Sequence, residues 1–282
     1  MPTALRADLH THSTASDGTT PPEVLVREAV AAGLDVIALT DHDTTGGWDR
    51  AADALPAGLR LVRGAEISCV AGGISLHLLA YLFDPQHEGL CARLAELRDS
   101  RASRAQRMVD LLVADGHPVS WEQVSALADG TVGRPHVAGA LVDSGLIASV
   151  AEAFRPEWIG TKGRYWAAKA DVEVLDAIEL VKAAGGVTVF AHPSATERGR
   201  TVSDDVIRAM AAAGLDGLEV DHVDHTPDAR VHLRELAREL ELLTTGSSDY
   251  HGSNKTTALG ANVTEEAVLD ELATRATGVG VL

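Results

Sequence analysis

The sequence predicts an α/β fold with a largely parallel sheet. The main observation is a repeated pattern, in which a helix ends at a glycine and a short apolar strand then leads to a polar residue. The pattern occurs in AAGLDVIALTDH (31–42) and AAGLDGLEVDH (212–222), and more loosely in KAAGGVTVFAHP (182–193). Helix–strand units that recur along a chain are typical of α/β domains. In each copy a histidine lies just past the strand, at the edge where α/β barrels assemble their active sites.

Length, composition and net charge limit the number of domains and the kinds of partner that we expect. The 282 residues allow one large domain or a domain with an insertion, and 45% apolar residues are enough for a substantial core. A net charge of −17 would repel a long polyanion, so we expect no binding to duplex nucleic acid. We expect no membrane span and, because MPTALRADLH has no apolar segment typical of a signal peptide, a cytoplasmic location. The oligomeric state is not predicted.

The first helix is marked at both ends within TTPPEVLVREAVAAG (19–33). We predict Thr20 as the N-cap, Pro21 as the first helical residue and Glu23 as the capping-box partner. Gly33 is expected to end the helix. Further strands are predicted at 59–63, 74–82, 187–191, 217–221 and 242–246.

The middle of the chain has helical patterns and turn signals but little strand signal. We therefore predict a barrel formed by residues 1–95 and 166–282, with a helical insertion at 96–165. The first helix of this region carries one apolar stripe that two arginines interrupt, formed by Leu90, Leu94, Leu97, Arg101, Arg104, Met108 and Leu111. An unpaired buried guanidinium is costly. The two arginines therefore either pair with carboxylates or bind an anion at the edge of the active site.

Potential metal ligands recur along the chain. In LHTHSTASDG (9–18), His10 and His12 would share one face of a strand, and Asp17 could return from the following turn. Taken alone, this stretch could also be a polar strand end with surface histidines. Further histidines and carboxylates follow predicted strands or lie within one, namely His42, Glu66, His77, His192, Asp249 and His251. Nine such ligands exceed the needs of one ion, and nitrogen and carboxylate donors suit Zn, Mn or Fe(II).

Together these motifs resemble those of the PHP (polymerase and histidinol phosphatase) family of metal-dependent phosphoesterases. The matching motifs are DLHTHS, TDHD, GAEIS with His77, FAHP and SSDYH, in family order from residue 8 to 251. Asp17 and the insertion that contains GRPHVAGAL (133–141) are most similar to the nucleotide-phosphatase and oligoribonuclease branch. The resemblance implies a distorted seven-stranded (β/α) barrel of PHP type, with the helical insertion as a lid over a trinuclear metal site.

The resemblance also implies how the ligands divide. His10, His12, Glu66 and Asp249 would bind one ion, and Glu66 would bridge to a second ion held also by His77 and His192. The third ion would be bound by Asp17, His42 and His251. We therefore expect two to three divalent ions (Mn, Zn or Fe), with Glu66, Asp249 and His192 forming the catalytic centre.

The predicted function is hydrolysis of phosphate monoesters of small nucleotides, nucleoside mono- or 3′,5′-bisphosphates, by a metal-activated hydroxide. The residues predicted to contact substrate phosphate are Arg101, Arg104, Arg134, His136, Lys162 and Arg198. His222 and His225 are expected at the surface or the outer rim. One alternative is a 5′→3′ exoribonuclease that acts on the ends of short RNA oligonucleotides. Others are a non-catalytic, metal-stabilised PHP module and an amidohydrolase, although the strand-end lysine typical of the latter is not evident.

Overall fold

The computed structural model describes residues 5–282, so residues 1–4 of the opening stretch MPTALRADLH lie outside the description. Seven strands follow one another around a barrel in the order β1-β2-β3-β4-β6-β7-β8, and the short β5 pairs with β3 beside this path. The strands are β1 (Ala7–Asp8), β2 (Val36–Leu39), β3 (Arg60–Ala71), β4 (Ile74–Tyr81), β5 (Val172–Glu173), β6 (Val187–Phe190), β7 (Gly217–Asp221) and β8 (Leu243–Gly246). The two edges meet beyond β1 and β8, where the His12 amide donates to the Tyr250 carbonyl at 2.9 Å. The predicted distorted, seven-stranded barrel is confirmed.

The sheet is largely parallel, as predicted, and one strand runs against the others. β4 is antiparallel to both β3 and β6, because it follows β3 through a two-residue turn at Gly72 and Gly73. Both glycines have positive φ (54° and 72°), as tight hairpin turns require. The first half of β4, including His77, therefore lies at the edge where the parallel strands end. β3 is also longer than predicted, so Glu66 lies within it rather than after it.

The helices surround the barrel or form the insertion. They are α1 (Pro22–Ala31), α2 (Trp48–Asp53), α3 (Glu88–Ala114), α4 (Trp121–Ala126), α5 (Arg134–Asp143), α6 (Val150–Ala153), α7 (Val174–Ala183), α8 (Asp204–Ala212), α9 (Pro227–Glu239) and α10 (Glu266–Arg275). Across residues 5–282, none of these helices combines the length and the hydrophobicity that a membrane crossing needs.

The start of α1 differs from the prediction by one residue. Pro21 occupies the N-cap position and Pro22 begins the helix, with no side-chain cap. Thr20 instead lies 3.1 Å from the Tyr250 hydroxyl, and Glu23 accepts from Arg50 Nε at 3.0 Å. Both predicted capping groups are therefore engaged in tertiary contacts. At the other end, Gly33 has φ 72° and terminates the helix as predicted.

Helix α3 belongs to two hydrophobic cores. Its first half contributes Leu90, Leu94 and Leu97 to the core of the barrel, whereas its second half packs against α4, α5 and α6 in a separate core. Leu111 is 43% exposed and Leu112 is buried instead. A seven-residue repeat drifts about 20° per heptad around a straight helix, so the predicted stripe leaves the buried face after three heptads.

Candidate metal centre

The nine predicted ligands converge at one end of the barrel. Contacts join ligands that are distant in sequence: Glu66 Oε2 lies 3.1 Å from His12 Nε2, and Glu66 Oε1 lies 3.0 Å from His192 Nε2. Most of these side chains are buried, and His77 and His192 are partly exposed. His192 and Asp249 adopt positive φ (33° and 54°), a backbone conformation that non-glycine residues rarely adopt outside functional or strained sites.

Glu66 lies at the centre of this group, and its two oxygens face different histidines. Oε2 lies 3.3 Å from His10 Nε2 and 3.1 Å from His42 Nδ1. Oε1 lies 2.8 Å from His77 Nδ1 and 3.0 Å from His192 Nε2. Although burial would raise the pKa of Glu66, His77 and His42 hold it well below its usual range. Glu66 is therefore a carboxylate with each oxygen directed at its own set of nitrogen donors, the arrangement that a bridging ligand needs.

The donor set fits divalent cations. The Nδ1 atoms of His42 and His77 are buried and lack a hydrogen bond of acceptable geometry, although each lies close to Glu66. A buried nitrogen without such a bond is costly unless another partner takes its lone pair. Imidazole and carboxylate donors without thiolates suit Zn, Mn or Fe.

Three overlapping groups could each hold one ion. Within each group, one ligand atom per residue lies within 4.8 Å of the others. The groups are His12–Asp17–His42–His251, His10–His12–Glu66 and His42–Glu66–His77. Because His12 and His42 occur in two groups each, the division of ligands among ions stays a prediction.

The turn that carries Asp17 is held by the neighbouring motif. Asp41 accepts hydrogen bonds from the Ser13 amide at 2.8 Å and from the Ser16 hydroxyl at 2.6 Å. This places Asp17 Oδ1 3.4 Å from His251 Nε2 and Asp17 Oδ2 3.6 Å from His42 Nε2. The first aspartate of TDHD therefore acts on the site by positioning another ligand.

Asp249 links the ligand cluster to two basic side chains, Arg198 and Lys255. Its Oδ1 lies 3.4 Å from His10 Nε2, whereas its Oδ2 accepts from Arg198 at 2.6 Å and Lys255 at 2.7 Å. Burial would raise the pKa of Asp249, but Lys255 and Arg198 hold it well below its usual range. Arg198 also pairs with Asp224. Sequence reasoning missed Lys255, because a lysine in the loop stretch GSNKTT carries no signal of its own.

Glu219 is a second residue that the sequence analysis missed. Its Oε1 lies 3.0 Å from His10 Nδ1, and its Oε2 accepts from the His192 amide at 2.6 Å. The contact to Nδ1 turns the other nitrogen of His10 towards the cluster, which is how a hydrogen-bonding partner orients a metal ligand. The sequence signal that could have found it is a glutamate within the otherwise apolar run GLEV, which the structure buries in β7.

His222 and His225 are buried, which corrects the expectation of surface or rim positions. His222 Nε2 lies 3.3 Å from Asp249 Oδ2. His225 Nδ1 donates to the Val220 carbonyl at 2.8 Å, and its Nε2 accepts from the Ser194 amide at 3.2 Å. These contacts hold the loop after β7 against Asp249, which follows β8, and Ser194, which follows β6, so both rings are buried.

Arg101, Arg104 and Arg134, which we call the arginine cluster, lie beside the Asp17 side of the site. Arg101 pairs through Nε with the buried Asp43 and donates through Nη2 to the Ser68 hydroxyl at 2.6 Å. Of the two alternatives predicted for the arginines of the helical stripe, pairing with a carboxylate and binding of an anion, Arg101 shows the first. Its remaining nitrogen, Nη1, faces the start of α5.

The other two members of the cluster, Arg104 and Arg134, lack such a carboxylate partner in the described part of the chain. Arg104 is 8% exposed, and its buried Nε has no hydrogen-bond partner. Burial, and then the charges of Arg134 and Arg101, lower the pKa of Arg104 well below its usual range. Arg134 is the first residue of α5, and its guanidinium lies 5.2 Å from the ring centre of Phe154. Within residues 5–282, neither arginine forms a salt bridge, in contrast to Arg101.

The start of α5 lies directly against the metal side of the site. A side-chain carbon at Gly133 would lie 4.0 Å from Asp17 Cβ and 3.9 Å from Arg101 Nη1. The Gly133 amide donates to His136 Nδ1 at 2.9 Å, so this histidine caps the helix with one of its nitrogens. The positive end of α5 and the arginine cluster thus share one small region beside Asp17.

The structure does not bring Lys162 to the site. It is exposed in a loop with φ 62°, and in the described part of the chain no hydrogen bond or salt bridge links it to the ligand cluster. The surrounding loop is anchored elsewhere, because Trp158 and Tyr165 pack on the core of the insertion.

Comparisons with known proteins agree with this architecture. A model of the PHP domain family matches residues 8–118. The chain is 36% identical to a 5′-3′ exoribonuclease of Haemophilus influenzae over 258 residues, covering 91% of this chain and 93% of that protein. It is 33% identical to a 3′,5′-nucleoside bisphosphate phosphatase of Chromobacterium violaceum over 251 residues, covering 86% of each.

The similarity extends to a solved structure. A provisionally assigned metal-dependent phosphoesterase from Bifidobacterium adolescentis superposes with a TM-score of 0.92 at 38% identity, and 98% of each chain is covered. The likeness therefore includes the insertion as well as the barrel.

Proposed function

Because this chain belongs to the PHP domain family and is a metal-dependent phosphoesterase, we propose that it removes phosphate from small nucleotides, nucleoside mono- or 3′,5′-bisphosphates. The observation that carries the proposal is the adjacency of two sites for anions. One is the cluster of metal ligands around Glu66, and the other is the arginine cluster beside Asp17. A nucleotide with two phosphates would occupy both sites at once.

Two to three divalent ions, Mn, Zn or Fe, would be held by the nine ligands. When bound, such ions supply a hydroxide near neutral pH and neutralise phosphate oxygens in the transition state. Glu66 presents one oxygen to each of two groups of histidines, and Glu219 fixes the orientation of His10. Arg198 and Lys255 keep Asp249 ionised and directed at the same point, which makes Arg198 a positioning residue in this proposal.

The arginine cluster would hold the phosphate that does not react. Arg104 and Arg134 have no carboxylate partner among the described salt bridges, so an incoming phosphate would compensate the charge of the buried Arg104 and that of the half-buried Arg134. Charge-assisted contacts from guanidinium groups near the positive end of a helix are typical of phosphate recognition. Arg101 would contribute Nη1 while remaining paired with Asp43.

A second candidate function is 5′→3′ exonuclease action on short RNA. It is favoured by the similarity to the Haemophilus influenzae exoribonuclease over nearly the whole chain. In that case the arginine cluster would hold the 5′-phosphate of the RNA while the next phosphodiester lies at the metal ligands. Both candidates use the same two anion sites and differ in the group that is attached beyond the reacting phosphate.

A phosphate-release and product screen tests the proposal. AMP, nucleoside 3′,5′-bisphosphates, histidinol phosphate and short 5′-phosphorylated RNA are compared, each with Mn, Zn and Fe(II). We expect the bisphosphates to give the highest kcat/KM, because they fill both sites. Faster release of mononucleotides from RNA would favour the exoribonuclease, and a preference for histidinol phosphate would contradict both candidates.

A further inference from the structure

Phe154 is an exposed aromatic residue at the edge of the arginine cluster. The chain has three phenylalanines, and the other two, Phe83 and Phe190, are 1% and 2% exposed within the core. Phe154 is 38% exposed. The exposed part of the phenyl ring gains nothing from burial in the free protein, which raises the question of what covers that part.

The backbone around Phe154 is well anchored. It follows α6, where Ala153 is fully buried in the core of the insertion. The Ile159 amide donates to the Ala153 carbonyl at 2.9 Å, and Ile159 is buried in the same core. The ring is therefore presented to solvent by a fixed segment rather than by a loose loop.

The position of the ring relates it to the phosphate site. The Arg134 guanidinium lies 5.2 Å from the ring centre, and Arg134 begins the helix whose N-cap, Gly133, lies against Asp17. The order in space is thus metal ligands, then the arginine cluster, then the aromatic ring. This order matches a nucleotide, in which the ribose joins the phosphates to a flat aromatic base.

We propose that Phe154 forms the nucleobase site of this enzyme, in which the base of the substrate stacks on the exposed part of the ring while a phosphate is held by the arginine cluster. Bases stack readily on aromatic side chains, and an adjacent guanidinium strengthens such sites. This inference rests on the proposed function, because it takes the arginine cluster as a phosphate site.

The test separates stacking from support of Arg134. Phe154→Leu removes the ring but keeps an apolar side chain, and Phe154→Tyr keeps the ring. The substrates are adenosine 3′,5′-bisphosphate and its abasic analogue, in which hydrogen replaces the base. We expect Phe154→Leu to lower kcat/KM for the adenosine compound about tenfold, mainly through KM, because stacking on an aromatic ring is lost. The abasic analogue should be unaffected, and Phe154→Tyr should behave as the wild type.

Two results would overturn the inference. An equal loss with both substrates would show that the ring only supports Arg134, and no loss with either would show that it has no role. Leu111→Ala serves as a matched control, since Leu111 is a similarly exposed apolar residue of the insertion.

A binding measurement keeps the inference separate from the proposed activity. Calorimetric titration of the metal-loaded protein with AMP and with ribose 5-phosphate reports the contribution of the base without turnover. We expect AMP to bind more tightly to the wild type and this advantage to disappear in Phe154→Leu. If the advantage is present but no nucleotide is hydrolysed, the proposed function fails while the base site stands. Equal affinity for both ligands would refute the base site.

Discussion

Glu66 contacts five histidines with its two oxygens, so its charge acts on more than one ligand group. In Glu66→Gln the shape is kept, but one oxygen becomes an amide nitrogen that cannot bind a cation. We expect kcat/KM to fall by about a hundredfold or more, since changes to residues that merely orient ligands already cost 10–100-fold. Steady-state kinetics and metal analysis measure the effect. Activity within about threefold of the wild type would contradict a bridging role.

Arg104 offers a test of the phosphate site. Arg104→Met preserves the packing of the stem and removes only the charge. We expect kcat/KM to fall about tenfold to a hundredfold, as one charge-assisted contact contributes roughly 1.5–3 kcal/mol. The melting temperature and the metal content should not change. A lowered melting temperature with near-normal kinetics would instead assign Arg104 to holding the insertion on the barrel.

Arg101 provides the contrasting case, because it is paired with the fully buried Asp43. Arg101→Met leaves that carboxylate without its cation. We expect the free energy of unfolding to fall by about 3 kcal/mol, the lower end of what breaking a buried pair costs. Denaturant titration measures this loss. A variant as stable as the wild type would show that Ser68 and Lys169 suffice to hold Asp43.

Among the elements, the loop before α5 links the insertion to the metal site. The Thr131 amide donates to the Ala15 carbonyl at 2.9 Å, in the turn that carries Asp17. A side-chain carbon at Gly130 would overlap that same carbonyl oxygen. Gly130→Ala should therefore displace the loop and the start of α5, and we expect kcat/KM to fall at least about tenfold, because small misplacements of catalytic groups are costly.

A control for this variant lies in the same insertion. Gly145 has φ 69° with open space around it. Gly145→Ala strains the backbone and should lower the melting temperature while leaving the kinetics unchanged. If both variants lose activity equally, the loss reflects the stability of the insertion and not the position of its loop.

Much of the element pattern was predictable, because glycine caps and short apolar strands are local signals. The direction of β4 was not predicted, although Gly72–Gly73 is a hairpin signal that sequence reasoning could have used. The capping of α1 failed for a different reason, since Thr20 and Glu23 find partners far along the chain. Contacts between residues that are far apart in the chain produce no periodic pattern that sequence analysis could detect.

The candidate site likewise contains residues that local sequence motifs reveal and residues that only the fold reveals. The nine candidate ligands were identifiable because they stand in short motifs at strand ends, and the structure brings them together. Glu219, His222 and Lys255 act through contacts to those ligands, which only the fold reveals. The partner of Arg101 could not be identified from the helical stripe, since Asp43 is distant in sequence from α3.

For the whole molecule, we expect two to three transition-metal ions per chain. Asp17, Glu66 and Asp249 lie buried among histidines at one barrel end, and cations that bind only the folded state add to its stability. Elemental analysis of protein purified without chelators measures the content, and calorimetry should show a lower melting temperature after chelation. Full activity with one ion or none would contradict this expectation.

The junction at which the His12 amide donates to the Tyr250 carbonyl has a consequence for biosynthesis. Six of the nine candidate ligands precede residue 78, yet Asp249 and His251 are translated about 170 residues after His77. Domains generally begin to fold from the N-terminus during synthesis, so the nascent chain carries an acidic, histidine-rich half-barrel while the insertion completes its own core. Capture of the full set of ions therefore has to wait until residue 251 has been translated, and a chain truncated before residue 249 would lack two of the candidate ligands.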